Sequence, residues 1–310
     1  MEKKTFNDVF NNYLSYLQLN VKPTTILSIK RNFKLHILSK IGNMYIQDFS
    51  KDDFFEWQKY FKNKGFSLNF EKNVQIMFKS FFNYLEINYD VKNYPKLYGY
   101  FKNYSVQNNI KEKNIFTVHD FKKFIKFVDD PIYHALFNLL FYTGVRKGEA
   151  LALKFNDLKG NYIYINKTLT TENFDGKRLE LTPKTKKSIR KIRIDYRLKN
   201  ELNKLQKYYN KIFNKNNGDL YIFGGINPIA CTTLKRKKDL YCDKANLKHI
   251  TIHDFRHSHA TILYNNHIGI KTIQERLGHS NVNTTINTYV HDDIKNEKKV
   301  IKLITFFRIF

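Results

Sequence analysis

The sequence predicts a mostly α-helical protein with a small β-sheet: an all-helical N-terminal domain followed by an α+β domain. Up to about residue 95, apolar positions recur at helical spacing with no alternating stretch. After Thr117, helical segments give way to short runs that alternate apolar with polar or charged residues, and then helices return. A chain of 310 residues also exceeds what most single compact cores hold. The expected boundaries are a helical domain over 1–95, a linker over 96–113 and a second domain over 114–310.

The elements follow in order. Thr5 to Leu19 puts Phe6, Val9, Phe10, Tyr13, Leu14 and Leu17 on one stripe, a helix. Pro23-Thr24-Thr25 opens a second that runs to about Leu38, and Ser50 with Asp53 three residues later starts a third with a capping box. A fourth, Ser67 to Ile87, aligns Val74, Met77, Phe78, Phe81, Phe82 and Leu85 as core. Tyr94-Pro95 to Asn114 is polar and irregular, dotted with Lys96, Lys102, Lys111 and Lys113, and reads as the interdomain linker or as a segment lying along a DNA backbone.

Helices are then expected over Val118–Val128 and Ile132–Tyr142, with Thr143-Gly144 closing the latter and leaving Arg146 at a helix boundary. Tyr162–Ile165, Arg178–Leu181 and Ile189–Ile194 read as strands, with Lys184 in the turn between the last two. Helices resume at Leu198–Phe213, Thr232–Tyr241, His253–Asn265 and Lys271–Leu277, the last stopped by Gly278, and a short one bears Tyr289. Within them, Lys235-Arg236-Lys237-Lys238 reads as a solvated helix face in preference to a contact with backbone phosphate.

Lys and Arg number 54 against 28 acidic residues, a net charge of +26, which points to a polyanionic partner because each basic side chain set on a phosphate releases a counterion. Only 10 of the 54 are Arg; AT-rich coding accounts for part of the lysine excess but not for the scarcity of acids. Cys231 and Cys242 form no CxxC and no second pair, which excludes a cysteine zinc site and a disulfide framework and fits a reducing cytosol. No signal peptide is visible, and the longest apolar stretches, Ala135–Tyr142 and Val300–Phe310, fall far short of the roughly 20 residues a membrane span needs. A cytoplasmic protein without membrane contact is expected.

The residues that carry chemistry are Arg146 and Glu149 in Thr143-Gly144-Val145-Arg146-Lys147-Gly148-Glu149, Lys184, then His253 and Arg256 in His253-Asp254-Phe255-Arg256-His257, His279 in Leu277-Gly278-His279, and Tyr289. Two guanidinium forks can grip the non-bridging oxygens of a phosphodiester and offset transition-state charge without a metal. A tyrosine is a reversible nucleophile, since its phenoxide leaves more readily than an alkoxide. Lys184 is the natural general acid for the expelled alkoxide, competing with Lys186 and Lys187; His253 can take the tyrosine proton, His279 can donate to the phosphate and Glu149 can orient a neighbour. His253, His257 and His259 could bind zinc, since His253 and His257 share a helix face, but no HExxH and no cysteine partner accompanies them, so no metal is expected.

Together with Pro183-Lys184-Thr185-Lys186-Lys187-Ser188 and the run from Thr284-Thr285 to Tyr289-Val290-His291, these stretches resemble the tyrosine recombinases, or phage integrases. The resemblance implies that Arg146, Lys184, His253, Arg256, His279 and Tyr289 form the active site. It implies a core-binding domain, from Val21-Lys22-Pro23 onward, that closes with the catalytic domain as a C-shaped clamp around DNA. An additional arm-binding domain looks absent. The ten-residue step from His279 to Tyr289, and Asn287, resemble integrases of mobile elements in low-GC bacteria.

The implied activity is metal- and ATP-independent strand exchange through a 3′-phosphotyrosyl intermediate, with no cofactor, on double-stranded DNA at specific recombination sites. A homotetramer and an accessory directionality factor are the implied partners. The helical run Val300, Leu303, Ile304 and Phe307 would dock on a neighbouring protomer or pack on its own domain. A chromosome-dimer resolvase, a type IB topoisomerase-like enzyme and a DNA-binding protein with a decayed site are the alternatives.

Overall fold

The computed structural model describes residues 3–100, 114–174, 177–182, 188–213 and 218–278. It divides into two compact units, one ending at Lys111 and the other beginning at Glu112. Lys184, His279, Tyr289 and the C-terminal run from Val300 lie outside the described residues.

The first unit is built from helices among its described residues, α1 (Phe6–Gln18), α2 (Pro23–His36), α3 (Leu38–Ile41), α4 (Lys51–Lys62), α5 (Leu68–Tyr89) and α6 (Tyr94–Tyr98), with one isolated antiparallel bridge between Thr5 and Tyr45. Capping boxes start α1 and α4: Thr5 and Ser50 each receive the N–H of an aspartate three residues on, and Asp8 and Asp53 return the bond. The core is aromatic. Phe81 is wholly buried among Phe6, Phe10, Tyr13, Phe33 and Phe82, and Trp57 stacks on Phe78 at 4.1 Å.

Two details depart from the sequence reading. The second helix stops at His36, short of Leu38, because the Trp57 indole donates to the His36 carbonyl at 2.9 Å and the chain bends at Ile37 before α3. The segment expected to be irregular opens with a helical turn, α6. Asn93 caps it, accepting from the Lys96 N–H at 3.1 Å, and docks it on α5 by donating to Asn83 at 2.8 Å and Glu86 at 3.0 Å.

The second unit runs α7 (Val118–Ile125), α8 (Pro131–Thr143), α9 (Lys147–Ala152), β1 (Leu158–Lys159), β2 (Tyr162–Ile165), β3 (Thr168–Phe174), β4 (Lys177–Leu181), β5 (Arg190–Arg193), α10 (Tyr196–Phe213), α11 (Cys231–Lys244), α12 (Asp254–Asn265) and α13 (Ile270–Leu277). Helix α8 is buried on most of its circumference, and with Phe121, Phe124 and Phe255 it forms the centre of this core.

The strands differ from expectation in their pairing. β4 pairs antiparallel with β3, whose threonine-rich sequence carries no alternation, while β5 pairs with β2 in a second sheet ordered β1-β2-β5. The strands that flank Lys184 in sequence, β4 and β5, therefore belong to different sheets. The basic run on α11 is also only partly solvated: Lys235 and Arg236 are exposed, but Lys238 is buried and neutralised by Asp239.

Candidate active site

Helices α8 and α13 end alike. Each is closed by a glycine in the left-handed region, Gly144 at φ +66° and Gly278 at φ +67°, so the last carbonyls of both helices have no partner within their own helix. Gly144 is required twice over. Besides its φ, a Cβ there would lie 2.7 Å from the His259 ring and 2.8 Å from Leu277.

Arginines satisfy these two ends. Arg256, 2 % exposed on the first turn of α12, donates at 2.8 Å to both the Gly144 and the Leu277 carbonyl. Arg146, the N-cap of α9, donates to the Gly278 carbonyl at 3.0 Å. A cation at the negative end of a helix is stabilised there, so the same side chains that could meet a phosphate hold the two helix ends together.

Glu149 is the one carboxylate among them. Its Oε2 accepts the Arg146 backbone N–H at 2.8 Å and its Oε1 accepts the Arg146 guanidinium at 2.8 Å, so it orients both parts of that residue. Arg190 grips the same carboxylate with both terminal nitrogens, at 2.8 Å and 3.1 Å. Burial acts to raise the Glu149 pKa, but the hydrogen bonds and charges of Arg190 and Arg146 outweigh it and hold the acid below its usual range. Arg190 also donates from Nε to the Arg276 carbonyl at 2.8 Å, tying β5 to the last turn of α13.

His253 is the N-cap of α12, its ring edge-on to His257 with centroids 4.8 Å apart. Partial desolvation, joined by the charges of Arg256 and Arg146 and opposed by Asp254, holds its pKa below the ordinary histidine value. A neutral imidazole ready to accept a proton results. Six residues on, His259 is buried and its pKa falls to about 3, first through burial and then through Arg276; it accepts from Arg276 Nε at 3.0 Å and bonds the Phe141 backbone. Arg276 reaches the Tyr142 carbonyl at 3.1 Å, a second tie between the ends of α8 and α13.

Of the residues predicted from sequence, Arg146, Glu149 and Arg256 are thus brought together at the ends of α8 and α13, with His253 close enough for both arginines to act on it. Lys184, His279 and Tyr289 fall outside the described residues, although Gly278, the partner of Arg146, directly precedes His279. Sequence reasoning missed Arg190 and Arg276, and weighed His259 only as a zinc ligand. A signal for Arg190 was present: it shares the strand face of Ile192 and Ile194, and an arginine at an inward position calls for a buried acid.

Chemically, the cluster is cationic: the guanidiniums of Arg146 and Arg190 grip the Glu149 carboxylate, and those of Arg256 and Arg276 bind carbonyls at the ends of α8 and α13. Among the described residues no group of three or more His, Cys, Asp or Glu side chains could hold a metal ion. A cavity of about 550 Å³, lined by Asn156, Lys159, Lys199, Leu202 and Gln206 among others, includes no member of the cluster.

Comparisons with known proteins bear on this arrangement. Residues 114–296 match the phage integrase family, and residues 5–62 match its N-terminal SAM-like domain. The ICEBs1 integrase of Bacillus subtilis is 28% identical over 301 residues, 93% of this chain and 79% of that protein. The integrase of Staphylococcus phage L54a is 32% identical over 175 residues, 52% of this chain and 49% of that one. Among solved structures, the Tn1549 transposon integrase in complex with a circular intermediate DNA superposes with a TM-score of 0.75 at 22% identity, covering 96% of this chain and 99% of that one. A lambda integrase tetramer bound to a Holliday junction gives 0.67 at 16% identity, covering 93% and 78%. Among the described residues no helix is long and apolar enough to cross a membrane.

Proposed function

Because this chain belongs to the phage integrase family of site-specific DNA recombinases, we propose that its arginine cluster receives the scissile phosphate of double-stranded DNA and that Tyr289 attacks it. The observation that carries this reading is the convergence of Arg146 and Arg256 at the ends of α8 and α13, immediately before the segment that holds His279 and Tyr289.

Arg146, a third exposed and fixed by Glu149, offers its free edge to one non-bridging oxygen, and Arg256 organises the floor between the two helix ends. His253, neutral near pH 7, takes the Tyr289 phenolic proton as the Tyr Oη–P bond forms. The P–O5′ bond breaks and Lys184 protonates the departing O5′, with His279 donating to the phosphate. The 5′-hydroxyl of a partner strand then attacks the 3′-phosphotyrosine and releases the enzyme. One phosphodiester is exchanged for another, so the balance needs neither ATP nor a metal.

The substrates are recombination sites of a mobile element, the reading supported by likeness to the integrase of ICEBs1. Assembly as a homotetramer on DNA, with an accessory factor setting direction, completes the proposal; the lambda integrase tetramer supports the first part.

A nicked suicide substrate bearing the attachment site tests the chemistry. Wild-type protein is expected to accumulate a covalent protein–DNA adduct and Tyr289→Phe none; an adduct with Tyr289→Phe refutes the nucleophile. Lys184→Ala is expected to slow cleavage by orders of magnitude on an oxygen leaving group and to recover on sulfur, which needs no general acid. A defect that persists with sulfur removes Lys184 from that role.

A further inference from the structure

We propose that Arg190 is a positioning residue for the cleavage site: it is the standing counter-ion of Glu149, so that Arg146 is oriented by that carboxylate without being neutralised by it. The inference rests on the reading that Arg146 receives the phosphate.

Glu149 has two effects on Arg146 that oppose each other. Holding the backbone N–H and the guanidinium of Arg146, both at 2.8 Å, fixes where that guanidinium points. Yet a carboxylate only 4 % exposed, alone at that distance, would cancel the charge the phosphate needs and would itself repel the phosphate.

Arg190 removes the conflict. Its fork engages both oxygens of Glu149, at 2.8 Å and 3.1 Å, and its side chain is 7 % exposed. All three of its nitrogens are committed to protein oxygens, including the Arg276 carbonyl at 2.8 Å and the Ser188 carbonyl at 3.1 Å. It therefore acts on the phosphate through Glu149 and not by contact. The buried pair balances, and the charge of the more exposed Arg146 stays available.

A double-mutant cycle on the full-length protein separates this from a packing role, read as single-turnover adduct formation on the suicide substrate. Arg190→Met alone is expected to slow cleavage roughly ten- to a hundredfold, because it leaves Glu149 to neutralise Arg146. In the Glu149→Gln background the same change is expected to cost less than about threefold, since no carboxylate remains to balance. Arg190→Lys, which keeps the charge but loses the fork, is expected to retain most of the rate.

An equal loss from Arg190→Met in both backgrounds, or no loss in either, overturns the proposal. If Arg190→Met does not fold, the pair Glu149→Gln and Glu149→Gln/Arg190→Met decides alone, as neither buries an unbalanced carboxylate. Equal rates support the proposal, and a drop of more than about tenfold overturns it. A wild-type protein that forms no adduct would instead refute the recombinase chemistry and leave the cycle unread.

Discussion

The two compact units of this chain bury different things. The interior of the first is aromatic, with Phe6, Phe33, Phe54, Phe78, Phe81 and Phe82 sealed from solvent, Asp8 and Asp53 at helix caps, and Glu71 buried in the first turn of α5. The second has an apolar centre of equal quality around α8, but beside it Glu149, Arg256 and His259 are buried within one hydrogen-bonded cluster. Buried charge costs desolvation, so a domain concentrates it where the charges act together. In the aromatic core of the first unit removal of a side chain is expected to cost stability; in the arginine cluster of the second, chemistry.

The largest expected effect tests the first half of that contrast. Phe81→Ala empties the aromatic cluster and is expected to cost about 3–5 kcal/mol of unfolding free energy, measured by denaturant titration. Molecules that remain folded are expected to cleave a pre-bound substrate near the wild-type rate. A chemical defect without a stability loss would break the contrast.

Arg146→Ala is the complement. It is expected to cut single-turnover cleavage by roughly 10²–10³-fold, about 2.7–4 kcal/mol of transition-state stabilisation, while the melting temperature moves little because the side chain is a third exposed. A large drop in melting temperature would assign Arg146 to structure.

A pH effect comes next. The pKa of His259 is about 3 in the folded protein and near its ordinary 6.5 when unfolded. Above pH 6.5 both states are neutral at this group and it contributes nothing to the slope. As pH falls below 6.5 the unfolded state takes up the proton first, and about 2 kcal/mol is expected to be lost between pH 6.5 and 5. His253, also depressed, loses stability in the same direction. Glu149 acts lower, its contribution present above the ordinary carboxylate pKa and lost as pH falls through its depressed value. Denaturant titrations across that window are expected to show a shallower slope for His259→Gln than for wild type. The smallest effect returns to the first unit: Ser50→Ala, which removes one half of a capping box, is expected to cost about 1 kcal/mol and leave cleavage unchanged.

Much of this architecture was legible because it is local. The stripes of α1 and α5 and the glycine stops after α8 and α13 are written within single elements. What was not legible depends on partners distant in sequence. The pairing of β4 with β3 follows from tertiary context, and β3 itself lacks alternation. The early end of α2 is set by Trp57, 21 residues away. In the site, Arg146, Glu149 and Arg256 stood out because their residue types and order suit phosphate chemistry, whereas Arg276 and His259 act through each other and through helix-end carbonyls that no motif displays.

The most direct test of the central claim is to locate the nucleotide on the protein. Trypsin is expected to release residues 277–295 as one peptide, cut after Arg276 and Lys295, and Tyr289 is the only tyrosine in it. Mass spectrometry of the digested suicide-substrate adduct is predicted to find the nucleotide on that peptide, at Tyr289. A nucleotide on any other peptide, or an adduct through a residue other than tyrosine, would contradict the account.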